Sequence, residues 1–366
     1  MDGGPKIMLS YLLHKIEAIN KIEQYYKLLK NTVMKKILLA VTAALAITSC
    51  SQNEEFEAPN QQTKIDFTSV VRKATRATDT NSNNFLGFTV SSYITDDDYN
   101  ETGALGAAYM DGISYTKDNA AAPWTTTDKG TYYWPSISSG KKVQFFAYPT
   151  TEPTSYSLPS TGYPTISFTV DGTPANQKDL VVAHAANVTS ELSEVANGRL
   201  TLDFKHVLTR INFAFTPEDP LLTYKVTGIS IADIKGGTGK YSFNAGDGEW
   251  NLAADATSSY SYTVKQSADK VENKNYYSLA DTNASWMLFP QEVNGKVISI
   301  TYSTKQGEME VFSGTKKVTL PSDAKWTVGQ NVLYVLTLPA GAAKVGLNTE
   351  VSEWNTTADE KEETAK

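Results

Sequence analysis

Cys50 is the only cysteine in the chain, and the residues before it indicate what its thiol could do. Two lysines precede an unbroken run of apolar or small residues over 37–47, and Cys50 follows three positions later. This is the layout of a secretory signal whose cleavage site is a lipobox, where a cysteine thiol is acylated. A diacylglycerol and an N-acyl chain together are enough for stable anchoring. The alternative is a membrane stub with an incidental cysteine, but an unassisted span needs roughly 20 apolar residues.

The segments around Cys50 follow from this assignment. Residues 34–49 are predicted to be the signal peptide, and residues 50–62, which are polar and acidic, a flexible tether. Residues 1–33 precede a complete signal with its own methionine, so we expect translation to begin at Met34; a long n-region is the alternative. Glutamates close behind Cys50 are similar to signals that send some Gram-negative lipoproteins to the outer face of the outer membrane. Residues 1–49 should be absent from the working protein.

Charge and length limit what the remaining chain can do. Removing residues 1–49 takes away seven Lys/Arg and three Asp/Glu, so the formal net charge changes from −7 to −11. Such a surface repels nucleic acid and anionic lipid headgroups. The remaining 317 residues suggest two domains. With Cys50 acylated no disulfide can form, so these domains must rely on apolar cores.

Arg72 and Arg76 form a second candidate site, for proteolysis. They lie in the sequence RKATR, which follows a segment over 64–71 where Ile65, Phe67 and Val71 alternate with polar positions. This is the period of a strand with one buried face. A run of small and polar residues follows the two arginines. A strand attached by a basic, unstructured linker is exposed to proteases. An ordinary first strand followed by a loop explains the same spacing.

Other residues with chemical potential have simpler explanations. Only His184 and His206 remain after the signal, which leaves few parts for a thiol or Ser-His triad, and we expect each to be a hydrogen-bonding residue at a sheet end. The acidic run 96–101 lacks the oxygen order and glycine of an EF-hand, so a solvated loop is predicted. KGGTGKY at 235–241 lacks phosphate-loop spacing and is predicted to be a hairpin turn. No catalytic residue, metal or cofactor is predicted, although carboxylate counts alone do not exclude glycoside cleavage.

The elements that position these residues are strands. From Phe85 onward short apolar alternations are separated by turn signals, which is typical of antiparallel sheets packed face to face. TPEDP at 216–220 interrupts the pattern with two prolines, so we place the domain boundary there. The predicted domains are β-sandwiches over 63–217 and 220–355, followed by a charged tail over 356–366. No window has a sustained helical period.

Several motifs then occur in a specific order. They are the lipobox at Cys50, TRAT at 75–78, YYWP at 132–135, KKVQFFAY at 141–148, DLVVA at 179–183, LDFKHVLTRINF at 202–213 and SWMLFPQ at 285–291. This order resembles the fimbrillin family, the Mfa-like pilus subunits of Gram-negative anaerobes. The likeness extends from Met34 to about Trp354.

The resemblance implies an all-β chain of two tandem transthyretin-like sandwiches that travels to the outer membrane as a lipoprotein and assembles into a type V pilus. An arginine-specific protease would cut after Arg76 or Arg72 and release the strand at 64–71, opening an apolar groove. A neighbouring subunit's C-terminal segment, 344–354, would fill the groove by β-augmentation. The donor residues implied are Val345, Leu347, Val351 and Trp354.

The implied partners are other pilus subunits, and the implied locations are the outer membrane surface before processing and the fimbrium afterwards. The role as stalk, anchor or tip stays open. One alternative is a surface lipoprotein or pilus tip that binds glycans or host ligands. A hydrolase on a β-sandwich is the third, and it would require a converging carboxylate pair in a cleft.

Overall fold

The computed structural model describes residues 63–71, 80–151, 155–244, 246–254, 257–264, 269–270, 274–279 and 285–354. The predicted signal peptide, the lipidation site Cys50, the processing sites Arg72 and Arg76 and the charged tail lie outside these ranges. Within them, no helix has the length and apolarity needed to cross a membrane.

Over the described ranges the regular structure consists of 21 strands and two 3₁₀ turns, Ile137–Ser139 and Pro174–Asn176. In chain order the strands are β1 (Asp66–Val71), β2 (Gly87–Thr95), β3 (Met110–Thr116), β4 (Lys142–Pro149), β5 (Ser155–Ser157), β6 (Thr165–Val170), β7 (Val181–Val188), β8 (Val195–Ala196), β9 (Arg199–His206), β10 (Thr209–Pro217), β11 (Thr223–Lys235), β12 (Gly237–Ser242), β13 (Glu249–Leu252), β14 (Thr257–Thr263), β15 (Asp269–Lys270), β16 (Tyr277–Ser278), β17 (Trp286–Leu288), β18 (Val297–Gln306), β19 (Met309–Thr319), β20 (Gln330–Leu338) and β21 (Gly346–Glu353).

Two burial patterns explain where these strands lie. In β9 and β18 buried and partly exposed residues alternate, as expected for strands with one face against a core. In β2, β4 and β10 most consecutive residues are buried, which indicates that both faces of these strands are covered.

The N-terminal sheet has the strand order β1-β9-β7-β4-β2-β3, with β8 also pairing with β9. β1 runs parallel to β9, with Asp66 opposite Arg199 and Val71 opposite Phe204. The sheet folds back on itself, because the ring of Phe88 in β2 lies 5.6 Å from the ring of Phe204 in β9. β1 and β9 therefore cover β2, β3 and β4 and enclose an aromatic core between them.

Three further sheets complete the fold. The first, in the order β13-β12-β6-β5, joins strands from both halves of the chain. The other two, β15-β16-β10-β20-β21 with β17 on β10 and β14-β11-β18-β19, lie in the C-terminal half. A single hydrophobic cluster runs from residues of β2 and β4 to Trp354 and includes core residues of all three sheets.

Strand pairing departs from the domain boundary predicted at residues 217–220. β10 precedes that boundary but pairs in parallel with β20, and β12 follows it but pairs antiparallel with β6. Pro217 ends β10, and Leu222 N donates to Asp219 O in the turn that leads to β11. The prolines therefore mark a turn between two sheets of the C-terminal half, and strands on either side of them pair across the predicted boundary.

The glycine-rich sequence at 235–241 is not the predicted hairpin turn. β11 ends at Lys235 in one sheet and β12 begins at Gly237 in another, so Gly236 is a corner between sheets. A Cβ on Gly236 would lie 2.2 Å from the hydroxyl of Tyr260, and Gly237 has φ of +71°. Both conditions favour glycine. The broader prediction of an all-β chain of packed sheets is confirmed.

Candidate functional site

The first strand enters the fold through backbone pairing with the YYWP sequence. Ile65 N donates to Tyr132 O at 2.9 Å, and Trp134 N donates to Thr63 O at 2.9 Å. The indole Nε1 of Trp134 donates to Gly198 O, also at 2.9 Å, next to the start of β9. Sequence reasoning did not connect YYWP with the first strand, because the two segments are far apart and neither has a local signal for the pairing.

Phe67 lies at the centre of an aromatic socket, which we define as the rings of Phe88, Tyr115 and Phe145. Its ring centroid is 5.9, 5.1 and 5.7 Å from theirs, each in an edge-on arrangement. Such pairs add about 0.5–1.5 kcal/mol each to the effect of burial. Burial also raises the pKa of Tyr115 to about 12. Phe67 therefore closes the N-terminal core.

The three residues predicted for the first strand are all buried. Ile65, Phe67 and Val71 are 2%, 3% and 4% exposed and belong to one core cluster. Burying such side chains contributes about 1.5–3 kcal/mol each. The side-chain ion pair between Asp66 and Arg199 contributes less, because it is solvent-exposed and pairs of this kind contribute about 0–1 kcal/mol. Apolar contacts, together with the backbone pairing to β9, therefore hold β1 in place.

The C-terminal segment, 344–354, is less buried than the first strand. Among the described strands β21 pairs with β20 alone, from Gly346 opposite Thr337 to Glu353 opposite Gln330. Of the four predicted donor residues, Val345 and Trp354 are buried, Leu347 is half-buried and Val351 is 55% exposed. The structure thus buries the two ends of the predicted donor and leaves most of its middle at the surface.

Trp354 fixes the end of this segment against His206, the last residue of β9. Its backbone N donates to Gly329 O at 2.8 Å, and its ring stacks on His206 at 4.0 Å. Nδ1 of His206 donates to Asp179 Oδ2 at 2.8 Å, and both side chains are buried. Thr80 N donates to the same carboxylate oxygen at 3.1 Å.

That contact places both ends of the 72–79 segment at the end of β9. Val71 lies opposite Phe204, two residues before His206. Thr80 N donates a hydrogen bond to the Asp179 carboxylate, which His206 also contacts. The structure therefore locates the chain on either side of Arg72 and Arg76 although those two residues lie outside the described ranges.

The second histidine, His184, lies in β7 rather than at a sheet end. Its ring stacks on Phe146 at 4.6 Å, and Nδ1 donates to Asn244 O at 2.6 Å. Burial lowers the pKa of His184 to about 4, outweighing the hydrogen bond to Asn244, which raises it. Nε2 has no hydrogen-bond partner in the described part of the chain. The folded protein thus favours a neutral ring.

Stability should therefore fall in mild acid. The unfolded chain binds a proton at His184 near pH 6.5 and the folded chain only near pH 4, so the contribution is full above 6.5 and is lost as pH falls through 4. Between pH 7 and pH 5 the loss from this residue should be about 2 kcal/mol. Urea unfolding of the native chain and His184→Gln at both pH values measures it. An equally steep pH dependence in both chains would contradict the assignment.

The acidic loop at 96–101 is paired with lysines. Lys141 Nζ lies 2.8 Å from Asp96 Oδ1, and Lys142 forms an ion pair with Asp98. In the described residues, no cluster of three or more His, Cys, Asp or Glu side chains is placed to hold a metal ion.

Comparisons with known proteins agree with this architecture. The fimbrillin-like family model matches residues 75–354. Fimbrium subunit Fim1C of Phocaeicola vulgatus is 27% identical over 384 aligned positions, covering 88% of this chain and 97% of the relative. The crystal structure of a fimbrial protein from Bacteroides vulgatus superposes with a TM-score of 0.58 at 20% identity, covering 80% of this chain and 99% of the other, and is a likeness of fold. Since the family model covers most of its length, the chain belongs to the fimbrillin-like family.

Proposed function

We propose that this chain is a structural subunit of a cell-surface pilus, delivered to the outer membrane as a lipoprotein through Cys50. Cleavage after Arg76 or Arg72 then releases the strand at 64–71, and the C-terminal segment of a neighbouring subunit takes its place. Family membership and a relative that is a fimbrium subunit support the pilus role. The proposal of lipidation is based on the sequence around Cys50. The proposal of strand exchange is based on the sequence features of the first and last strands and on the geometry of β1.

One observation carries the proposal: an edge strand supplies three core side chains. β1 lies at the edge of its sheet, yet Ile65, Phe67 and Val71 are each at most 4% exposed. Without them, the aromatic socket and one backbone edge of β9 would be open. Apolar surface and unpaired backbone at one place form an acceptor for an added strand.

The same geometry explains how assembly is prevented before processing. While β1 occupies the groove, a donor strand would have to displace paired backbone and three buried side chains at once. After cleavage the released strand is no longer covalently tethered, so it competes for the groove only at its bulk concentration. A head-to-tail interface of this kind does not close and produces a filament.

Cutting the purified chain is expected to start polymerisation. The chain from residue 51 onward, which lacks Cys50, should be monomeric until an arginine-specific protease releases the first strand. Size-exclusion chromatography and electron microscopy should then detect polymers, and mass spectrometry should find a new N-terminus at Ala77, or at Lys73 for the alternative site. The uncut Arg72→Gln/Arg76→Gln variant is the control and should stay monomeric.

A disulfide that retains β1 after cleavage sharpens this test. Thr68 and Thr201 lie opposite each other in the β1–β9 register and are both half-buried. In a cut Thr68→Cys/Thr201→Cys chain, polymers should appear only after reduction. Cut, reduced chains that release the strand, keep a free C-terminus and remain monomeric would exclude strand exchange.

A further inference from the structure

The first and last strand segments carry the same pattern of side chains. Residues 64–71 read KIDFTSVV and residues 344–351 read KVGLNTEV. Each begins with a lysine. At alternate positions after it come two apolar residues, a hydroxyl residue and a valine, and these four share one face of a strand. The intervening residues differ and belong to the opposite face.

The structure shows what each position of the first strand requires. Ile65 and Val71 are buried at the ends of the strand, and Phe67 fills the aromatic socket. Ser69 faces a polar group, because its Oγ accepts a hydrogen bond from the indole Nε1 of Trp124 at 3.2 Å. The groove thus requires apolar, apolar, hydroxyl and apolar residues in that order.

We propose that the donor segment, 344–354, enters a neighbouring copy parallel to β9 in one defined register. This inference rests on the proposed strand exchange. Val345 takes the place of Ile65, and Leu347 takes that of Phe67. Thr349 then replaces Ser69 as the acceptor for Trp124, and Val351 replaces Val71. The partner surface is therefore the groove of a second copy of this chain.

Other registers match the groove less well. A shift of one residue turns the apolar side chains to solvent. A shift of two positions, with Leu347 in the place of Ile65, puts the Thr349 hydroxyl into the aromatic socket without a defined partner. Reversing the strand also puts Thr349 at the Phe67 position, and it sets Leu347 against the Trp124 indole. Only the parallel, unshifted register satisfies all four positions.

The exchange also increases burial in the middle of the donor. In its own subunit Val351 is 55% exposed and Leu347 is half-buried, whereas the residues that they would replace are 4% and 3% exposed. Gly346 would replace Asp66 and leave Arg199 without its exposed ion pair, which is a small loss. Leu347 is smaller than Phe67, so it would underfill the aromatic socket.

Cysteine cross-linking tests the register in the full cut chain. Thr201 lies opposite Thr68, so the proposed register places Asn348 of the donor opposite Thr201 of the acceptor. The chain from residue 51 has no other cysteine. Filaments of the Thr201→Cys/Asn348→Cys variant should give a ladder of disulfide-linked subunits on a non-reducing gel. Matched variants with cysteine at Gly346 or Glu350 in place of Asn348 should cross-link far less.

The outcomes separate the register from the proposed function. Filaments that cross-link through position 346 or 350 would overturn the register while leaving strand exchange intact. Cut native chain that forms no filaments would overturn the proposed function, and the register with it.

A second measurement applies if the cysteine variants fail to assemble. Leu347→Phe restores the ring that the socket holds before cleavage and should slow subunit dissociation about tenfold, whereas Asn348→Phe, on the opposite face, should not. Leu347→Phe filaments that dissociate as fast as native ones would show that Leu347 does not occupy the socket.

Discussion

Replacing Phe67 by alanine should destabilise the uncut chain by about 3–5 kcal/mol and leave the cut chain unaffected. The loss in the uncut chain follows from the removal of a buried ring that contacts Phe88, Tyr115 and Phe145 at centroid distances of 5.1–5.9 Å. The absence of an effect after cleavage follows from the proposal that residue 67 leaves with the first strand. Few core substitutions in a protein would depend on processing in this way.

Urea unfolding followed by tryptophan fluorescence measures the first part, and the rate of polymer formation after cleavage measures the second. Asp66→Ala is the matched control, because it removes only the exposed ion pair with Arg199 and should cost at most about 1 kcal/mol. If Phe67→Ala slowed assembly of the cut chain as much as it destabilised the uncut chain, residue 67 would still be part of the assembled subunit.

The first strand shows which features a sequence can predict. Ile65, Phe67 and Val71 have a two-residue period, and all three are buried in the structure. The period specifies a face but not a partner, and nothing local indicates that β1 runs parallel to β9 or pairs at its start with Tyr132–Trp134. These pairings join residues distant in the chain, so they depend on the whole arrangement of strands.

The domain boundary illustrates the same limit. Pro217 ends β10, as expected for a residue that cannot continue a ladder, but the prolines carry no information on which strands pair across the boundary predicted there. β10 pairs with β20 and β12 with β6, and no local pattern encodes either partner. Val351 is a related case, because the family resemblance implies it as a donor residue but does not indicate its environment in its own subunit, where β21 lies at a sheet edge and leaves it 55% exposed.

Ending the chain after Ala343 should abolish its own polymerisation and make it a terminator for native subunits. Without residues 344–366 the cut chain keeps the β9 edge and the aromatic socket, so it can accept a strand. It cannot donate one, and each copy should block one end of a growing filament. Added to cut native chain, it should shorten filaments in proportion to its mole fraction, as counted by electron microscopy.

Two further chains separate loss of the donor from loss of folding. A chain that ends at Trp354 lacks only Asn355 and the charged tail and should polymerise like the native chain. Leu347→Asp keeps β21 and affects a side chain that is half-buried in its own subunit, but it would bring a carboxylate into the aromatic socket of a neighbour. It should therefore fold, measured by near-ultraviolet circular dichroism, and fail to polymerise.

The terminator effect distinguishes strand exchange from other ways of forming a filament. If subunits associated through exposed surfaces that do not include residues 344–366, a chain without those residues would polymerise, and it would not shorten native filaments. Strand exchange requires an acceptor and a donor on each subunit, and the two lie in different sheets, β1 on β9 and β21 on β20. Deleting one should leave the other functional. Termination by the truncated chain, only after cleavage at the arginines, requires both the vacated groove and the donated strand.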